Sequence, residues 1–138
     1  MRGMKRSAAP ALLLLPLSVL LTACQQAPTG GTYSTGGDPA DEPCARVVSV
    51  IGYAGLLLEP EGREEEQNFE DAVLGRLAEV RGTTLQFGPR LPSSLAPAVS
   101  TVQEATRTLS TTEMPHGRQV ALLKQYRSAA AQIEEGCA

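Results

Sequence analysis

Tryptophan is absent from this chain of 138 residues, and tyrosine and phenylalanine together supply only five aromatic side chains. A surface that stacks sugars or nucleobases normally uses more rings, so we expect neither kind of binding. The only histidine, His116, stands between Pro115 and Gly117, where we expect a solvated ring at a helix start. A glycine-rich phosphate loop, a Cys-x-x-Cys pair and a haem attachment motif are also missing. These absences favour a protein with no catalytic or metal-binding residues and no cofactor.

Positive charge is scarce outside the extreme N-terminus. Three of the twelve basic residues are Arg2, Lys5 and Arg6, and without them nine basic residues face fifteen acidic ones, a formal charge of −6. Such a surface repels phosphate groups. We therefore expect no nucleic acid partner and no electrostatic docking on anionic lipid.

The N-terminus has the pattern of a signal segment. A basic start without acids, residues 1–6, is followed by 16 uncharged residues, 8–23, which contain Pro10 and Pro16. A bilayer-spanning helix needs about 20 apolar residues, so this run is too short and too interrupted for an anchor. It is typical of a segment that is removed after export. An amphipathic N-terminal helix fits less well, because the apolar residues cover every face.

The apolar run ends in Leu21-Thr22-Ala23-Cys24, which resembles the lipobox of bacterial lipoprotein precursors. Ordinary secretory cleavage needs small residues at −3 and −1, but a cut after Ala23 puts Leu21 at −3, and a cut after Ala27 puts Gln25 there. The resemblance implies diacylation of Cys24, cleavage before it, and often acylation of the new amine. Two or more acyl chains give stable attachment. We therefore expect a signal peptide at 1–23 and an anchor on the extracytoplasmic side of the cell membrane. The outer membrane is favoured where the cell has one, because Gln25 is not the aspartate associated with inner-membrane retention.

Two cysteines remain once Cys24 is assigned to lipid. Cys44 and Cys137 lie at the two ends of the remaining domain, and export places them where disulfides persist. We therefore expect a disulfide between them. Two free thiols, or a metal pair with too few ligands, are the alternatives.

The rest of the chain divides into a tether and one domain. Residues 24–41 combine the lipidated cysteine with Gly, Pro, Ser and Thr and almost no apolar surface, a composition typical of a disordered spacer. Residues 42–138 are enough for one small core. Their apolar residues recur at helical and not at alternating spacing, which predicts an all-α fold.

Four helices are predicted. The first runs from Pro43 to about Leu58 with Asp41 as N-cap, although the β-branched run 47–51 could instead form a strand. The second runs from about residue 63 to 85, the third from Ser93 or Ser94 to about 110, and the fourth from Thr111 or Thr112 to about 135. The predicted buried stripes are Cys44, Val47, Val48, Ile51, Gly55 and Leu58; Phe69, Val73, Leu77, Val80, Thr84 and Phe87; Leu95, Val99, Val102, Thr106 and Leu109; and Leu123, Tyr126, Ala130, Ile133 and Cys137.

Short breaks between helices favour an up-down-up-down four-helix bundle. This topology brings the start of the first helix and the end of the fourth to the same end of the bundle, where Cys44 and Cys137 must meet to bond. Small residues on those two helices, Gly52, Gly55 and 128–131, are interpreted as allowing their close approach.

The densest charge run spans residues 59–71. Glutamates 64–66 are expected as a solvated face in the first turn of the second helix, where carboxylates complement the helix dipole. Glu66 and Glu70 lie one turn apart on that helix, so a weak divalent cation site is the alternative.

Together these features indicate a lipid-anchored cell-envelope protein that acts through contacts with other envelope components. A small-ligand or cation-binding lipoprotein is the second hypothesis, and an enzyme is the third.

Overall fold

The computed structural model describes residues 40–111 and 113–138. The predicted signal peptide, the predicted lipidation site Cys24 and nearly all of the predicted tether lie outside the described residues. Four helices and three short 3₁₀ turns, with no strand, make up the described part of the chain: α1 (Pro43–Gly55), α2 (Asp71–Phe87), α3 (Ala96–Thr111) and α4 (His116–Gly136). The predicted all-α class is confirmed, and the β-branched run 47–51 is helical.

Two features fix the start of helix α1: a proline in its first turn and a carboxylate that caps it. Pro43 occupies its first turn, and the side chain of Glu42 accepts hydrogen bonds from the backbone N–H of Cys44 at 3.1 Å and of Ala45 at 2.6 Å. The predicted cap, Asp41, was wrong because its carboxylate pairs with Arg46, 3.5 Å away. The helix also ends three residues before the predicted Leu58, in i→i−3 bonds such as that from Leu58 N to Gly55 O, 3.2 Å.

The helix α2 begins eight residues later than predicted. Glutamates 64–66 form a separate 3₁₀ turn, and Gln67 follows with extended backbone, φ −62° and ψ 124°. The side chain of Gln67 turns inward and bonds the preceding loop, which holds the chain away from a continuous helix. The stripe Val73, Leu77, Val80, Thr84 and Phe87 is nevertheless buried as predicted. Phe69, expected in the same stripe, lies before α2 and is only partly buried.

The two remaining helices follow their predicted stripes more closely than their predicted starts. A 3₁₀ turn, Ser93–Leu95, leads into α3, and α4 begins at His116, with Pro115 just outside it. Proline disfavours helical backbone in the residue before it, so the expected start at Thr111 or Thr112 was wrong. The residues Leu95, Val99, Val102, Thr106 and Leu109, and then Leu123, Tyr126, Ala130 and Ile133, are buried as expected.

The helices form the predicted four-helix bundle. Each of α1, α2 and α3 packs on the helix that follows it, whereas α1 and α4 contact each other sparsely. The Cys44–Cys137 disulfide joins the start of α1 to the end of α4, with 5.4 Å between the two Cα atoms. The bridge therefore closes the bundle at the end where α1 begins and confirms the predicted pairing.

Candidate functional site

Sparse contact between α1 and α4 leaves an open groove of about 780 Å³ between them. Three structural parts form its walls: α1, the loop after it, and α4 from Lys124 to Glu134. We call it the α1–α4 groove, and it is lined by Ile51, Gly52, Gly55, Leu58, Glu61, Gly62, Glu64, Glu65, Lys124, Tyr126, Arg127, Ser128, Ala130, Ala131 and Glu134.

Small residues line the middle of this groove. A Cβ atom added at Gly52 or Gly55 would meet nothing within 4 Å, and Ala130 and Ala131 face them from α4. The interpretation that these glycines permit close helix packing was therefore wrong. The space beside them is open because α1 contacts α4 only sparsely.

The loop wall of the groove is held by a buried carboxylate. Glu64 is only 3% exposed, and its Oε2 accepts the backbone N–H of Gly62 at 3.0 Å. Gly62 has a φ of +87°, a backbone conformation that glycine adopts without strain. The Nε of Arg127 lies 3.3 Å from Glu64 Oε1, and the same guanidinium donates a hydrogen bond to the carbonyl of Glu59. Glu64 thus fastens the loop to α4, and its expected place on a solvated face was wrong.

The environment of Glu64 favours its charged form. The pKa of its carboxyl is lowered by its own backbone N–H, by the N–H of Gly62, and by the charges of Arg127 and Lys124, against the opposing effect of burial. The loop is therefore fixed by an ionised group at neutral pH.

A second buried side chain, Gln67, completes the loop. Its Oε1 accepts from the backbone N–H of Glu59 at 2.7 Å, and its Nε2 donates to the carbonyl of Asn68 at 2.9 Å. The backbone carbonyl of Gln67 lies 2.9 Å from Nε2 of His116. A carbonyl can only accept, so the proton of this pair resides on Nε2. The ring of His116 also meets the ring of Phe69 edge-on at 5.8 Å. His116 is exposed as expected, but it ties the start of α4 to the loop.

Charges around the groove are mostly acidic. Glu65 accepts from Lys124 at 2.5 Å, and this hydrogen bond lowers the pKa of the carboxyl and raises the pKa of the ammonium. Both cations that line the groove, Lys124 and Arg127, are therefore paired. Glu61 and Glu134 have no ion-pair partner among residues 40–111 and 113–138. The groove therefore presents net negative charge.

Tyr126 lies in the wall of the groove and is 2% exposed. Its hydroxyl makes no hydrogen bond within the described part of the chain. Burial raises the pKa of this hydroxyl well above its usual value, and the nearby carboxylate of Glu134 adds to the rise. The phenol therefore stays neutral and keeps its proton available for donation.

An apolar ridge is exposed around the end of α1, and none of its residues lines the groove. Tyr53, Leu56 and Leu57 are 50%, 79% and 42% exposed. Leu56 stands in the chain between Gly55 and Leu58, which both line the groove. We call these three residues the α1 ridge. Another exposed leucine, Leu85, is 50% exposed on α2, away from the residues that line the groove.

The acidic run does not assemble a metal site within the described residues. None of them form a group of three or more histidine, cysteine, aspartate or glutamate side chains that could hold a metal ion. Glu66, one of the two carboxylates of the alternative cation site, forms an ion pair with Arg63. In the same part of the chain, no helix has both the length and the apolar character needed to cross a membrane.

The structure describes two of the three predicted site residues. Cys44 and Cys137 are joined, whereas Cys24 lies outside the described residues. Sequence reasoning missed Glu64, Gln67 and Arg127 as the residues that hold the groove wall, and no periodic signal marks them.

Compared with known proteins, the chain matches no protein-family model, and neither a curated protein nor a solved structure matches it significantly.

Proposed function

We propose that this protein is a bacterial lipoprotein that acts as a non-catalytic interaction module in the cell envelope. Its lipid anchor is Cys24, and residues 42–138 bind a partner protein of the same compartment. The Leu21-Thr22-Ala23-Cys24 sequence supports the anchor. The Cys44–Cys137 disulfide supports an oxidising compartment.

The observation that carries the interaction role is the α1 ridge. Leu56 is 79% exposed and directly follows Gly55, which lines the groove. The loop that follows Leu56 is held by the buried side chains of Glu64 and Gln67. Exposed apolar residues on an ordered support are the usual form of a binding surface, because little conformational entropy is lost when the partner covers them.

Two features support a role without catalysis. The ring of His116 is engaged by a backbone carbonyl and by Phe69, and the thiols of Cys44 and Cys137 are consumed in the bridge. The thiols are therefore not available as nucleophiles, and Nε2 of His116 is occupied as a hydrogen-bond donor.

A small-ligand lipoprotein is the second candidate, favoured by the volume of the groove. A volume of about 780 Å³ falls in the range of small-molecule sites, about 300–1,000 Å³. A thermal-shift screen of small molecules separates the two functions, since a ligand that binds only the native state raises the melting temperature.

Chemical crosslinking of the full-length protein in its own cells, followed by mass spectrometry, tests the interaction role. We expect one or a few specific envelope proteins to be captured, and we expect Leu56→Ser to lose them. Leu85→Ser is the matched control, because it removes an equally apolar exposed side chain from α2 and should retain the capture. No capture above background, or equal capture by wild type and Leu56→Ser, would contradict the proposal.

A further inference from the structure

We propose that the α1–α4 groove holds a segment of the partner protein that carries a basic residue at each end of a short apolar stretch. This inference rests on the proposed function and specifies the part of the partner that is recognised.

The length of the groove sets the size of the segment. Along α4 the lining runs from Lys124 to Glu134, ten helical steps or about 15 Å at 1.5 Å per residue. An extended chain covers that distance in about five residues at about 3.3 Å each. The occupant is therefore a short segment and not a whole domain.

The charges of the groove determine which residues the bound segment carries at its two ends. Glu134 lies near the end of α4, whereas Glu61 belongs to the loop that also contacts Lys124 and Arg127. These two unpaired carboxylates therefore lie towards opposite ends of the groove. Both lining cations are already neutralised by Glu64 and Glu65, so an occupant with lysine or arginine at each end complements what remains.

The residues in the middle of the groove determine which kind of side chain the segment carries between its two ends. Gly52, Gly55, Ala130 and Ala131 leave room for a polypeptide backbone to approach closely. Ile51 and Leu58 line the same groove and give an apolar side chain of the occupant a surface to cover.

The wall adds an unused hydrogen-bond donor. The side chain of Tyr126 is buried in the groove wall, and its hydroxyl has no partner among the described residues. An extended segment brings backbone carbonyls that are free to accept a hydrogen bond.

Photocrosslinking in the full-length protein, in its own cells, tests the inference. A benzoylphenylalanine replaces Gly55, whose added side chain enters open space, and the control probe replaces Gly75, which is equally unobstructed on α2. Mass spectrometry of the crosslinked peptide then identifies the segment that the groove holds. We expect the Gly55 probe, and not the Gly75 probe, to capture one segment with lysine or arginine on both sides of apolar residues.

A synthetic copy of the captured segment is then the binding probe. Paired replacement of Glu61→Gln and Glu134→Gln should weaken its binding about tenfold, the effect of two surface ion pairs of about 0.7 kcal/mol each. Gly55→Leu should block binding by filling the groove, and Gly75→Leu should bind as wild type does.

The possible failures are distinguishable. A captured segment without basic residues, equal capture at Gly75, or binding unaffected by the paired glutamate replacements overturns this inference. The inference also fails if the Gly55 probe captures nothing. If chemical crosslinking still identifies a partner protein in that case, the proposed function stands. If spermine alone raises the melting temperature and loses that effect in the paired glutamate variant, with no segment captured, the groove binds a free polycation instead.

Discussion

Replacing Gly52 and Gly136 by alanine separates two opposite roles of glycine in this bundle. Gly52 lies inside α1, and an added Cβ would meet nothing within 4 Å. Gly136 is the last residue of α4, and an added Cβ would lie 2.5 Å from Cδ2 and 3.1 Å from Cγ of Leu95, which is buried. The same chemical change should therefore stabilise the protein at one site and destabilise it at the other.

The magnitudes follow from these environments. Gly52→Ala gains helix propensity without a clash and should raise the free energy of unfolding by about 0.5–1 kcal/mol. Gly136→Ala forces Leu95 or the end of α4 to move, an overpacking cost of about 1–3 kcal/mol, which little propensity gain offsets at a helix terminus. The two variants should differ by about 2 kcal/mol or more.

Urea unfolding followed by circular dichroism measures both values on the protein with its disulfide intact. Gly75→Ala, in the open interior of α2, is the control and should resemble Gly52→Ala. If Gly52→Ala destabilises the protein as much as Gly136→Ala does, α1 and α4 pack closely at Gly52 and the groove described above is wrong.

Three further perturbations test other parts of the structure. Paired Cys44→Ser and Cys137→Ser replacement opens a loop whose ends are 93 residues apart and should lower the free energy of unfolding by about 4.7 kcal/mol in the loop-entropy model; a loss under about 1 kcal/mol in urea unfolding would show that the bridge contributes little. Tyr126→Phe removes a buried hydroxyl that lacks a partner and should leave stability unchanged or raise it by about 1 kcal/mol, so a clear drop in melting temperature would reveal a hydrogen bond there. Because the pKa of Glu64 is lower in the folded state, the unfolded state binds more protons in mild acid and stability should fall as pH drops below about 5. Glu64→Gln should flatten that part of the stability profile, and an unchanged acid dependence would refute the assigned role of Glu64.

The helices and the disulfide are predictable because their causes are local or geometric. A stripe such as Val73, Leu77 and Val80 is buried whatever the helix packs against, so its spacing alone reveals it. The pairing of Cys44 with Cys137 follows from an even number of helices in a bundle, which returns the chain to its starting end.

The loop after α1 is not predictable in this way because its partners are distant in sequence. Three consecutive glutamates read as a solvated helix start, yet Glu64 is buried against Arg127. The guanidinium of Arg127 also bonds the carbonyl of Glu59, 68 residues away in the chain. No periodicity in residues 59–71 contains that information. The helix that the acidic run favours locally therefore gives way to a turn fixed by tertiary contacts.

The groove escaped prediction for a related reason. Small residues on two neighbouring helices are compatible either with close packing or with an open space, and only the positions of the two backbones decide between them. In this bundle Gly52 and Gly55 face open space, because α1 packs mainly on α2 and contacts α4 sparsely.

The measurement that tests the central claim most directly is the intact mass of the protein extracted from its own membranes, recorded before and after reduction. We expect a chain that begins at Cys24, carries the mass of a diacylglyceryl group with or without a further acyl chain, and gains two hydrogen atoms when the Cys44–Cys137 bridge is reduced. A chain that retains residues 1–23, or one that begins elsewhere without lipid, would contradict the account of a lipid-anchored envelope protein.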